Sequence, residues 1–189
     1  MARWELDPAH STVGWSVRHL GIAAVKGRFT RFSGQFDLDE RKPALSQVTV
    51  TVEAASVQTG NQERDEHIRS FDFFDAERFP TITFTSEAIA PLGFNSFLVE
   101  GPLRLHGKSF QAHLEVTFNG ARFDPEGNRR AGFTVHTHVP LSAFDLNWNV
   151  ALPDGTVLVG SQAELEIEVE VVEQKTSSET GVGPAASGM

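Results

Sequence analysis

The chain has no cysteine among its 189 residues. That excludes disulfides, thiolate metal sites, iron–sulfur clusters and cysteine nucleophiles. Tyrosine is also missing, against 15 phenylalanines and 3 tryptophans, so the aromatic set favours π-surface without hydroxyls. Bases are scarce: 16 Lys and Arg face 25 Asp and Glu, a net charge of −9. Affinity for phosphate backbones comes mainly from Lys and Arg, so no nucleic-acid partner is expected, nor adhesion to anionic membranes. No run approaches the roughly 18 apolar residues of a helical span, so a membrane-spanning chain is not expected. Met1-Ala2-Arg3-Trp4-Glu5 carries no apolar leader segment, which sets the expectation of a cytoplasmic protein, or a periplasmic one if a leader was removed. Gly-rich phosphate loops, a Gly-x-Ser-x-Gly elbow and a His-Glu-x-x-His helix are all lacking, so neither cofactor nor metal is expected.

What is present is period-two alternation broken by turn signals, the pattern of a sandwich or barrel. Val13, Trp15, Val17 and His19 share one face, and Phe32, Gly34, Phe36 and Leu38 form the next stripe. Phe29 falls out of phase with them, which predicts a bulge near Thr30-Arg31. Val48, Val50 and Val52 alternate with Thr49, Thr51 and Glu53, and Ile82 and Phe84 make a short strand. Phe97, Val99, Leu103 and Leu105 lead to a turn at His106-Gly107-Lys108, with Phe110, Ala112, Leu114, Val116 and Phe118 returning as a hairpin. Ala131, Phe133 and Val135 follow. The last strand is the clearest, with Leu165, Ile167, Val169 and Val171 inward and Glu164, Glu166, Glu168 and Glu170 toward water. The fold class is therefore all-β: an antiparallel, lipocalin-like barrel of about eight strands, a number that can just hold one small ligand.

One segment breaks the rule. Arg64-Asp65-Glu66-His67-Ile68-Arg69-Ser70-Phe71-Asp72-Phe73-Phe74 mixes acids, bases and aromatics at helical spacing, predicting one short helix near residues 60–71 that ends in phenylalanines and lids the barrel. Thr59-Gly60-Asn61-Gln62 fits a capping box with Thr59 as N-cap, and Pro80 serves as a stop. Residues 1–173 then form one domain, while 174–189, rich in Ser, Gly, Thr and Ala, read as a disordered tail.

These motifs carry a family resemblance. Trp4-x-Leu6-Asp7-Pro8-x-His10-Ser11, Gly27-x-Phe29-x-x-Phe32-x-Gly34-x-Phe36, Ser56-Val57-x-Thr59, the insert with Phe79-Pro80-x-Ile82-x-Phe84, Gly101-x-Leu103-x-Leu105-His106-Gly107 and Arg130-Ala131-Gly132-Phe133 occur in order. The chain resembles the YceI-like family of lipocalin-like, polyisoprenoid-binding proteins from Trp4 to about Val172. The resemblance implies a barrel with a helix at one end and an elongated apolar cavity for an isoprenoid lipid, an isoprenoid quinone or a related amphiphile. It allows a homodimer.

Candidate ligand-binding residues are the inward stripe Trp15, Val17, Phe36, Val50, Phe84, Leu114 and Phe133, with His19, Phe73, Phe74 and Trp148 toward the mouth. The bland alternative is that these side chains fill the barrel solid. The charged insert (Arg64, Asp65, His67, Arg69, Asp72) either receives ligand oxygens through arginine forks or ties the helix to the barrel; the second reading is favoured. His136 and His138 lie two apart on one strand, a metal-like spacing, but in the outward phase, where they are wet. The favoured function is a non-enzymatic carrier or store for a long apolar ligand, useful in transport or in stress response by sequestration. The alternative is an enzyme acting on a hydrophobic metabolite in the same cavity, with His19, Asp65 or Asp145 as acid or base.

Overall fold

The computed structural model describes residues 1–175. Its strands are β1 (Ala2–Leu6), β2 (Thr12–His19), β3 (Ala23–Phe29), β4 (Phe32–Leu38), β5 (Gln47–Glu53), β6 (Val57–Gln58), β7 (Thr81–Thr85), β8 (Ala88–Pro91), β9 (Ser96–Leu105), β10 (Lys108–Phe123), β11 (Arg129–Pro140) and β12 (Val159–Glu173), with one α-helix, α1 (Gln62–Arg69). Several are halves of one bent strand. β1 and β2 both lie along β12, the first at Leu6↔Val171 and the second from Thr12 to His19. On their other side they meet β4 and β3 respectively. β5 and β6 continue that pattern, as do β7 and β8 along β9. Eight antiparallel walls result, in sequence order, and β12 closes back onto β1. Closure satisfies the edges that an open sheet would leave bare.

The bends have identifiable causes. The break expected at Thr30-Arg31 falls between β3 and β4, and the buried Ser56 serves it. Its hydroxyl accepts from Thr30 N at 3.2 Å and Arg31 N at 3.1 Å and donates to Glu53 O at 2.7 Å. Backbone donors freed by the bend are thereby satisfied, which a buried site requires. The β9–β10 hairpin turns on His106 and Gly107, with φ of +53° and +70°, the two positive angles of a type I′ turn. A Cβ on Gly107 would meet the Phe79 ring at 2.6 Å. His106 Nδ1 reaches Phe144 O at 2.8 Å and locks the turn to the Leu141–Phe144 3-10 turn.

The insert departs from expectation in detail. The helix spans only Gln62–Arg69, and its N-cap is Asn61, whose side chain accepts from Arg64 N at 2.9 Å. Gly60 at φ +82° reverses the chain first, so Thr59 lies two residues too early to cap. Phe71, Phe73 and Phe74 fall in the turns beyond the helix. The tail expected from residue 174 lies, past its first two residues, outside the described residues.

Candidate functional site

Every inward stripe converges on one cavity of about 700 Å³, within the roughly 300–1,000 Å³ of small-molecule sites. The interior is hollow, not packed solid. All eleven residues singled out in the sequence line it. Trp15 and Val17 come from β2, Phe36 from β4, Val50 from β5, Phe84 from β7, Leu114 from β10 and Phe133 from β11. His19, Phe73, Phe74 and Trp148 border the end nearest α1. Trp4, Phe29, Phe97, Phe118, Phe144 and Val169 line it too. All but Phe144 sit on strand faces that alternation places inward or in the family motifs, so their signal was available. Phe144 had none, because it comes from an irregular connection.

Glycine shapes part of the wall. The Trp15 indole lies across Gly27 of β3, where a Cβ would stand 2.2 Å from the ring. Deeper in, Trp4 and Val171 are essentially inaccessible. Phe118 and Phe133 pack with centroids 5.4 Å apart.

The two ends of the bore differ in charge. Near α1 the ionisable lining residues are Arg18, His19, Arg64 and His67; at the opposite end they are Asp39, Glu40 and Arg129. Arg129 is committed there: it grips Glu40 with both terminal nitrogens (Nη2–Oε2 2.9 Å), lies 3.6 Å from Glu173 and covers the Trp4 ring at 5.3 Å. The bond to Arg129 lowers the Glu40 pKa, and the bond to Glu40 raises that of Arg129.

The charged insert acts mainly as a tie. Asp65, buried, accepts from Thr59 N at 2.8 Å and Thr59 Oγ1 at 2.6 Å. Arg64 donates to Thr59 Oγ1 at 2.7 Å and Thr59 O at 3.0 Å. Arg69 donates to Ala55 O at 2.9 Å and Val57 O at 3.3 Å, covering acceptors at the short β6. His67 Nε2 pairs with Asp72 at 2.9 Å, and its ring stands edge-on to Trp148 (4.6 Å) and Phe73 (5.2 Å). Phe73 and Trp148 touch in turn at 5.4 Å. This aromatic cluster covers the α1 end of the cavity.

Of the acid–base candidates, His19 alone borders the cavity. Asp65 is consumed by Thr59, and Asp145 pairs outside with Lys108 at 3.0 Å. His136 and His138 are exposed, in the outward phase expected. Among the described residues, three groups stand close enough to share a metal: Asp7, His10 and Glu170. They do not fit one, because the Arg130 guanidinium already sits between Asp7 (2.6 Å) and Glu170 (2.7 Å) as their cation.

Fold and site together define an eight-walled antiparallel barrel with a single-ligand-sized apolar bore and a helix across one end. The YceI-like domain matches residues 4–171, and the chain belongs to that family. A UPF0312 protein of Vibrio parahaemolyticus is 37% identical over 163 residues, covering 86% of this chain and 81% of the relative. Among solved structures, Burkholderia cenocepacia BcnA superposes with a TM-score of 0.74 at 28% identity, covering 87% of this chain and 98% of that one. A polyisoprenoid binding domain from Saccharophagus degradans, implicated in plant cell wall breakdown, gives a TM-score of 0.65 at 16% identity, covering 92% and 100%. At that identity it shares the fold.

Proposed function

We propose that this protein binds a long-chain apolar ligand, a polyisoprenoid, an isoprenoid quinone or a similar amphiphile, along the barrel axis, and carries or stores it. The observation that carries the reading is the cavity itself, lined by Trp15, Val50, Leu114 and Phe133 on different walls. Transfer of such a chain from water contributes ~0.8 kcal/mol per buried CH₂, so ten carbons supply about 8 kcal/mol gross. Lost translation and chain freedom subtract several kcal/mol, leaving affinities of roughly micromolar order without a polar contact. Apolar walls thus set affinity, and the polar ends select the head. The polyisoprenoid binding domain of S. degradans supports the ligand class by likeness of fold alone.

Native mass spectrometry of the purified protein, with solvent extraction, tests the reading, and a copurifying amphiphile is the expected result. Val50→Trp places a large ring in the bore. Displacing two or three ligand carbons weakens binding of the fluorescent fatty acid cis-parinaric acid at least tenfold. A protein that copurifies with no lipid and does not bind the probe would refute the proposal.

A further inference from the structure

A second recess, of about 340 Å³, lies where β7 parts from the β9–β10 hairpin. The two strands pair at Phe84↔Leu103 and Thr83↔Arg104 and no further. Beyond that point the chain enters β7 through Phe79-Pro80, and the Phe79 ring packs on Gly107 and edge-on to His106 at 5.1 Å. Three cations line the recess, Arg78, Arg104 and Lys108, together with Thr81, Thr83 and Ser109. No Asp or Glu lines it. Register explains why Arg104 is left without an acid. Its neighbours across the sheet are Ser109 of β10 and Thr83 of β7, so hydroxyls flank the guanidinium on both sides. Arg78 lies over the Phe79 ring at 5.1 Å. Neither arginine forms an ion pair among the described residues. The neighbouring acids are placed otherwise. Glu53, opposite Thr81, is held by Arg31, and Glu77, beside Arg78 in the chain, does not line the recess. Asp145 meets Lys108 at 3.0 Å in an exposed pair, which is weak and open to exchange.

From this arrangement we infer that the recess binds the oxygens of a phosphate or pyrophosphate group. Guanidinium forks match phosphoryl oxygens in geometry and charge, and hydroxyls add further donors. The three cations approach from different segments: Arg78 from the turn before β7, Arg104 from β9 and Lys108 from β10. A tetrahedral group presents oxygens in all three directions, which a flat carboxylate does not. A long polyanion is disfavoured, because the chain as a whole carries a net charge of −9. The recess also adjoins the bore: Thr83 and Leu105 line both. The phosphoryl group therefore belongs either to a free anion or to the head of an amphiphile whose chain lies inside the barrel. The site itself does not rest on the carrier reading; only the second source does.

The experiment titrates sodium pyrophosphate into the isotope-labelled full chain and follows backbone amide shifts by NMR. The amides of Thr81, Arg104, Gly107 and Ser109 move together, with a Kd on the order of 0.1–1 mM at low salt that weakens as salt rises. Arg104→Gln and Arg78→Gln each weaken binding about tenfold, with unchanged circular dichroism and unchanged affinity for cis-parinaric acid. Arg28→Gln, which removes an exposed cation on β3 away from the recess, binds pyrophosphate as wild type. Dodecyl phosphate identifies the source. Weaker binding of it by Arg104→Gln assigns the recess to the head of a bore ligand, whereas loss confined to pyrophosphate assigns it to a free anion; both results support the site. Amides that stay in place up to ~10 mM pyrophosphate overturn it. An equal loss in Arg28→Gln also overturns it, by assigning the binding to net charge. Since cis-parinaric acid reports on the bore separately, failure of the recess leaves the carrier reading standing, and failure of the probe alone leaves the recess standing.

Discussion

At the scale of single residues, the cavity wall is fixed by what is small as much as by what is large. Trp15 can lie flat against β3 only because position 27 has no side chain. Adding one methyl group there forces the ring into the bore or pushes β3 outward, and overpacking of this kind costs about 1–3 kcal/mol. Gly27→Ala should therefore lower the unfolding free energy by that amount, read as a lower urea midpoint, and weaken cis-parinaric acid binding as well. An unchanged midpoint would mean that the indole has room to move. Both Trp4 and Trp15 also bury an indole N–H with no acceptor among the described residues, at a cost of about 1–3 kcal/mol each. The large apolar area of the two rings outweighs that loss.

Among elements, α1 occupies the place where strand pairing fails. β6 is two residues long and pairs β3 on one side only, so carbonyls along its other side need donors. The Arg69 guanidinium supplies them at Ala55 O and Val57 O. Charged hydrogen bonds of this kind contribute about 1.5–3 kcal/mol. Arg69→Met should accordingly speed amide exchange in α1 by roughly thirtyfold, while β11 and β12 keep their protection. Uniform acceleration over the whole barrel would show instead that α1 opens only with global unfolding. The sequence disclosed the elements unevenly, for physical reasons. β12 alternates strictly from Ala163 to Val171 because one face meets the bore and the other meets water. The β9–β10 hairpin was legible from His106-Gly107, where the turn demands positive φ. β8 was missed, since Ala88-Ile89-Ala90-Pro91 is too short to show a period. The helix start was misplaced because Thr59 and Asn61 are both good caps, and only the reversal at Gly60 decides between them. Eight of the eleven lining positions followed from strand phase, while Phe73, Phe74 and Trp148 lie on irregular segments that have none; yet phase cannot say whether a barrel is full or hollow. That depends on how widely eight walls are spaced and on where Trp15, Phe36 and Phe133 point.

For the whole molecule, barrel closure converges on one arginine. Arg130, near the start of β11, donates to Asp124 in the β10–β11 turn at 2.7 Å and to Asp7 in the β1–β2 corner at 2.6 Å. It also holds Glu170 of β12 at 2.7 Å. Asp7 N bonds Glu170 O and Glu170 N bonds Ser11 Oγ, so first and last walls meet where these charges meet. Hydrogen bonds from His10 and then Arg130 pull the Asp7 pKa from 3.8 to about 2, and Arg130 pulls Asp124 from 3.8 to about 2. Both folded values lie below the unfolded one. The contribution is therefore complete above about pH 4 and is lost as pH falls through 2, where the folded carboxylates take up protons. Other carboxylates titrate in the same window, so the difference between wild type and Arg130→Met isolates the junction. Melting temperatures measured from pH 7 down to pH 2 should show the variant less stable at neutral pH and the two curves converging between pH 4 and 2. Parallel curves across that range would mean that the guanidinium does not hold these acids, and that closure relies on the β1–β12 backbone ladder alone.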